Sequence, residues 1–145
     1  MTWKLHSVIE VSGDPKGQPR HRSVSFDGKA RVYPAGSAEG WMVMVVIAAR
    51  DHLPAVPLEG AIRIDEEFYF RRPKRLQKKT SPAGYIPHIS KPDRDNLDKA
   101  VLDCLKQIGF IRDDCYVSDG TIRKRYTRID SGPGALIEIY TPEEG

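Results

Sequence analysis

Residues 91–114 read KPDRDNLDKAVLDCLKQIGFIRDD, and the elements on either side take their places from this stretch. Pro92 disfavours helical backbone at Lys91, so the chain enters extended and a helix starts near Asp93 or Asp95, either of which has the side chain to cap it. At helical spacing Leu97, Val101, Cys104, Leu105 and Ile108 share one face, while Asp95, Lys99, Asp103 and Lys106 share the opposite one. One stripe seeks a core and the other water. Gly109 supplies a stop, after which Phe110 and Ile111 return to the core and Asp113-Asp114 form a second acidic pair.

Upstream of this helix, RRPKRLQKK, Arg71 to Lys79, holds six cations, and no acid occurs between Phe68 and Pro92. The segment before it, AIRIDEEFYF, repeats Ile62, Ile64, Phe68 and Phe70 at period two and reads as a strand. Ser37 can cap a helix from Ala38 to His52, closed by Pro54 and Pro57. Earlier still, SVSFDGKARVY reads as a hairpin around Asp27-Gly28, and SGDPKGQPRHR as a loop carrying Lys16, Arg20, His21 and Arg22. Trp3, Leu5, Ile9 and Val11 alternate with Lys4, His6 and Glu10 as a half-buried strand, with Ser7 and Val8 against the pattern. Downstream, TIRKRYT and GALIEIYT read as a closing antiparallel pair separated by RIDSGPG. The order strand, hairpin, helix, strand, helix, strand, strand predicts an α+β fold: a single domain over residues 1–145, with a mixed β-sheet and helices packed against it.

With 39% apolar and 30% charged residues, the 145-residue chain has the composition of a globular domain able to bury a core. No apolar run reaches bilayer length, and MTWKLHSVIEV alternates with strand period where a signal peptide would show an apolar block. A cytoplasmic protein with no membrane contact is expected. Cys104 and Cys115 form no CxxC motif and are expected as core or near-core thiols. The net charge is only +3, but the cations of residues 71–79 concentrate a field suited to a polyanion. MVMVVIAA, Met42 to Ala49, is apolar on more sides than one sheet contact buries and is a candidate interface.

Two readings of the acids are open from local chemistry. In the first, Asp93 and Asp95 start the helix, Asp95 to Lys99 and Lys99 to Asp103 are surface pairs of roughly 0.2–0.5 kcal/mol, and Asp113-Asp114 is a turn. In the second, Asp93-x-Asp95 and Asp113-Asp114 supply the oxygen-only ligands that Mg²⁺ or Mn²⁺ favours, and Lys99 meets charge developing on a phosphate. A cationic segment leading straight into an acidic cluster favours the second, because a cation bridging carboxylates and phosphate reconciles the two. An EF-hand register from Asp93 fails, with Leu97, Asp98 and Cys104 where an oxygen ligand, Gly and Glu are needed, and the four histidines have no zinc spacing. Crowded carboxylates repel one another, so at least one aspartate here is expected to have a raised pKa without metal, and metal is expected to stabilise the fold.

Asp93-x-Asp95-Asn96-Leu97-x-Lys99, then Asp103, Gly109-Phe110 and Asp113-Asp114 in register, resembles the RusA family of Holliday junction resolvases, small nucleases common in phages and prophages. Weaker similarity covers most of the chain. The resemblance implies a RusA-like fold and a Mg²⁺-dependent endonuclease, with Mn²⁺ as a possible substitute, active as a homodimer that cuts paired strands of a four-way DNA junction. It implies Asp93, Asp95 and Asp114 as metal-binding catalytic carboxylates and Lys99 as the catalytic lysine, with Asp113 and Asp103 as supporting groups. Phosphate contacts are expected from Lys16, Arg20, Arg71, Arg72, Lys74, Arg75, Lys78 and Lys79. Tyr85, Phe70 and His88 stand near this surface as candidates for stacking, packing or phosphate contact. The family's basic loop often reads Lys-x-Arg-Pro-Arg, and here Gln18 takes the place of the first Arg. Two alternatives remain: a less selective branched-DNA nuclease, and a junction or single-strand binding module without catalysis.

Overall fold

In a computed structural model, residues 2–18 and 37–143 are described. The predicted hairpin and the cations Arg20, His21 and Arg22 lie outside the described residues. The elements are β1 (Trp3–Ser12), α1 (Ala38–Arg50), β2 (Ile62–Phe70), β3 (Ile86–Pro87), α2 (Arg94–Gln107), β4 (Val117–Asp119), β5 (Ile122–Tyr126) and β6 (Gly134–Pro142). Single 3₁₀ turns lie at Lys74–Leu76 and Asp114–Tyr116. The strands form one mixed sheet in the order β1-β6-β2-β5-β3, and β4 pairs with β2. The two helices pack on each other, α1 also against β1 and α2 against β5, which gives the expected α+β architecture.

The period-two pattern of β2 places Ile62, Ile64, Phe68 and Phe70 in the core, where they meet Ala135, Ile137 and Ile139 of β6 and the apolar stripe of α2. In α2, Leu97, Val101, Cys104 and Leu105 are buried, as the wheel predicts, Ala100 is buried beside them and Ile108 is only half-buried, and Phe110 and Ile111 are buried beyond the helix. Gly109 follows the helix with φ +78°, the left-handed conformation that suits a residue without Cβ. Ser37 caps α1 by accepting from Gly40 N–H at 3.0 Å, and the helix ends at Arg50, two residues before the predicted His52.

Three expectations are corrected. The register of β1 against β6 shifts between Leu5 and Ser7, so a bulge at His6 turns Ser7, Ile9 and Val11 inward and leaves Leu5 and Val8 exposed. The phase change accounts for apolar Leu5 facing out, whereas Ser7 keeps the inward phase of Ile9 and Val11 and Val8 the outward phase of Glu10. Second, β5 and β6 do not pair with each other: β2 lies between them, parallel to β5 and antiparallel to β6. Alternation marks each as half-buried but does not name its neighbour. Third, Cys104 is buried whereas Cys115 is exposed, because the chain turns outward at Asp114–Tyr116 before it rejoins the sheet. Among the described residues no helix is long and apolar enough to cross a membrane.

Candidate active site at the start of α2

Three segments converge where α2 begins. Lys124 on β5 donates from Nζ to Ser90 O at 2.6 Å and Pro92 O at 2.7 Å, tying the entry of the motif to the sheet. The segment after β1 docks on the first turn of α2: Gln18 N–H donates to Asn96 O at 3.3 Å. Gly17 lies so close to α2 that a Cβ there would sit 2.1 Å from Asn96 Nδ2, so a larger residue would push the Asn96 side chain aside. Asp93 is the N-cap residue, but its carboxylate makes no capping bond. It is exposed and lies 3.2 Å from Lys91 Nζ.

The acids on the flank of α2 are arranged differently from Asp93. Asp95 is exposed, as is Asp114 in the 3₁₀ turn that follows the helix, while Asp98 is half-buried between them and the sheet. Burial raises the Asp98 pKa, hydrogen bonding with Glu66 opposes this, and the negative charges of Asp114 and Asp95 raise it further. Asp103 is also raised, again chiefly by burial, with Lys99 opposing and Asp114 adding. Asp113 is held low by hydrogen bonding with the Asp114 carboxyl and by the Lys106 ammonium, 3.4 Å away. The expectation of a raised aspartate is met, although desolvation outranks repulsion as its cause.

Beneath Asp98 lies Glu66, on the inward face of β2 and fully buried. Among the described residues no amide, hydroxyl or cationic donor meets either of its carboxylate oxygens, and the hydrogen bond it makes with the Asp98 carboxyl needs a proton held between the two acids. Desolvation raises its pKa well above the ordinary glutamate value, and the adjacent Asp98 carboxyl adds to the effect. Glu66 was missed from sequence, yet a signal existed: it shares the parity of Ile62, Ile64, Phe68 and Phe70, so a strand reading alone puts a carboxylate on the apolar face. Of the expected ligands, Asp95 and Asp114 border this group through Asp98, while Asp93 faces Lys91 and Lys124.

The donor chemistry fits a hard divalent cation, being carboxylate only and including a buried carboxylate without an amide, hydroxyl or cationic donor. Among the described residues, as they are placed, no three acidic, His or Cys side chains stand close enough together to hold a metal ion. Asp95 and Asp114 are both exposed.

Two open grooves rich in cations lie beside the entry to α2. One open groove is lined by Lys16, Arg71, Arg75 and Ser90 among others. Lys74, Lys78 and Lys79 are exposed on the same basic segment, and Arg71 also pairs with Asp14 at 3.5 Å. Arg72 is the exception: it is buried, and its guanidinium donates to the carbonyls of Thr127, Leu76, Gly84 and Ala83. Its charge organises the loop and is not offered to a ligand. The second groove is lined by Tyr85, Arg94, Arg123, Lys124 and Arg125. The sequence reading took β5 as a strand and overlooked its cations. Tyr85 is exposed, stacked on Tyr69 with ring centroids 5.1 Å apart and with Arg125 and Arg128 over its ring, whereas Phe70 is a core residue.

The sequence model of the family described as Endodeoxyribonuclease RusA matches residues 12–140, which include both acidic pairs, Lys99, Glu66 and the cationic segments. A relative printed as "Uncharacterized protein YqaN", from Bacillus subtilis (strain 168), is 28% identical over 122 residues, 81% of this chain and 85% of the relative. A match over nearly the whole of the fold and all of the candidate site means that this chain belongs to the RusA endodeoxyribonuclease family.

Proposed function

We propose that this protein hydrolyses phosphodiester bonds in four-way (Holliday) DNA junctions by paired cuts from a homodimer, with Mg²⁺ as cofactor and Mn²⁺ able to replace it. The observation that carries the reading is that the acidic motif of α2 is entered beside two cationic grooves, one lined by Arg94 and Lys124 and the other by Ser90, just before the motif, with Lys16, Arg71 and Arg75. A surface of that sign pattern attracts the DNA backbone, yet repels it at the acids unless a cation intervenes.

Asp93, Asp95 and Asp114 are the proposed ligands, with Asp113 beside them. The cation would supply Lewis acidity at a phosphate oxygen and acidify water. Lys99, exposed one turn on from Asp95, would meet the negative charge that builds on the phosphoryl oxygens in the transition state. Lys16, Arg71, Lys74, Arg75, Lys78 and Lys79 would follow the phosphate backbone on one side, and Arg94, Arg123 and Arg125 on the other, giving salt-sensitive binding with little sequence preference. Hydrolysis would leave 5′-phosphate and 3′-hydroxyl ends.

Incubation of the protein with a labelled four-way junction and a matching linear duplex, with Mg²⁺ or with EDTA, tests this beside Asp95→Asn. Symmetric cuts confined to the junction, dependent on Mg²⁺ and reduced at least about a hundredfold in the variant, are expected. Equal cutting of flaps or duplex would favour the less selective nuclease. Junction binding with no cleavage in either metal would favour the binding module.

A further inference from the structure

Glu66 sits at the middle of the sheet, opposite Ile122 of β5 and Ile137 of β6 in register and between Ile64 and Phe68 on its own inward face. The residue is 0% exposed, and among the described residues no amide, hydroxyl or cationic donor meets either carboxylate oxygen. The side chain does not point into a purely apolar core, for the Asp98 carboxyl reaches it from α2. Two carboxylates facing each other without a donor are stabilised by a shared proton or by a cation. Asp98 in turn lies near Asp95, one turn earlier on the exposed side of α2, and near Asp114 in the 3₁₀ turn that follows the helix. The acids thus form a continuous line from solvent to the sheet.

We propose that Asp98 is a further ligand of the divalent cation and that Glu66, beneath it, is a positioning residue whose carboxylate orients Asp98 and adds negative charge to the inner side of the site. The assignment rests on the reading of the α2 acids as a cation site. It differs from a structural pair in a definite way: a proton shared for packing alone leaves cation affinity indifferent to either residue, whereas a carboxylate behind a ligand raises that affinity.

The test is Mn²⁺ binding to the full chain, read by the electron paramagnetic resonance of free Mn²⁺, together with thermal unfolding with and without Mn²⁺. The proteins compared are the wild type, Glu66→Gln, Asp98→Asn and Asp95→Asn. Glu66→Gln keeps the shape of the side chain and can donate to Asp98, so it should fold, with a metal-free Tm equal to or above that of the wild type. Its Mn²⁺ affinity should fall about tenfold or more, and the rise in Tm on adding Mn²⁺ should shrink accordingly. Asp98→Asn, at a half-buried helix position, should show the same loss of affinity and serves if Glu66→Gln does not fold. Wild-type affinity in Glu66→Gln and Asp98→Asn, with loss in Asp95→Asn, would overturn this assignment and leave the cation site standing. No uptake of Mn²⁺ by the wild type would overturn the cation site and the assignment with it.

Discussion

The imidazole of His88 lies with its ring centre 3.9 Å from that of Phe70, stacked, and 4.8 Å from that of Tyr126, edge on. Its Nδ1 is buried without a hydrogen-bond partner among the described residues. Of the phosphate-contact and packing roles open to it from sequence, the geometry takes packing. Burial lowers its pKa from the ordinary 6.5, and the Lys124 ammonium on β5 lowers it further. The folded protein therefore binds this proton less readily than the unfolded chain. The stability that follows is fully present above pH 6.5 and is lost as pH falls below that value toward the folded pKa. Urea unfolding at pH 7.5 and 5.5 should show a larger loss on acidification for the wild type than for His88→Phe, which keeps the aromatic packing without the titrating nitrogen; equal losses would deny His88 this role. At the same scale, burial pushes the Cys104 thiol up to about 12, and Cys115 stands exposed. Residues eleven apart in sequence differ in this way because the helix faces the core and the turn after it does not.

Among elements, the basic segment after β2 divides into one buried arginine and an exposed remainder. Arg72 gathers carbonyls from Leu76, Ala83, Gly84 and Thr127, and its own carbonyl accepts from Gln77 Nε2 at 2.7 Å, so one guanidinium fixes the course of the loop. Arg72→Leu removes those donors and leaves the buried Thr127 carbonyl unpaired, and a loss of about 1–3 kcal/mol in denaturant unfolding is expected. Arg75→Ala, by contrast, changes an exposed side chain on the 3₁₀ turn, and stability should move by no more than about 0.5 kcal/mol. Junction affinity should fall in Arg75→Ala with the slope of log affinity against log salt reduced by about 1, read in titrations at several salt concentrations. An unchanged slope would remove Arg75 from the phosphate-binding surface. Six cations in a row gave no hint of this division, since the sequence carries their charge but not the carbonyls that the folded loop turns toward one of them.

For the whole molecule, paired cuts on opposed strands require two sites related by a two-fold axis. The helix α1 buries Trp41, Met42, Val45, Val46 and Ala49 and exposes Met44 and Ile47 one turn apart, with Leu53 and Val56 exposed beyond its end. Light scattering is expected to give twice the 16.3 kDa chain mass at micromolar concentration, and Met44→Glu combined with Ile47→Glu to give the single mass. A wild-type monomer would weaken the resolvase reading and favour a simpler nuclease. A dimer untouched by the double substitution would move the interface elsewhere, for example to the sheet edge at β1.

The sequence by itself determined the α+β class, the two helices with their buried stripes, the strands on either side and the acidic motif, because these are local in origin: side-chain periodicity, caps and breakers act over a few residues. The tertiary structure alone decided that β2 separates β5 from β6, that Arg72 is an interior group, and that Asp98, near Asp95 and Asp114, meets the buried Glu66 while Asp93 turns toward lysines. Strand alternation assigns a face without naming a neighbour, and a carboxylate's environment depends on groups brought to it from other elements. Glu66 lies on that boundary: the parity of β2 already turned it inward, but only the packing of α2 supplied the carboxyl it meets there.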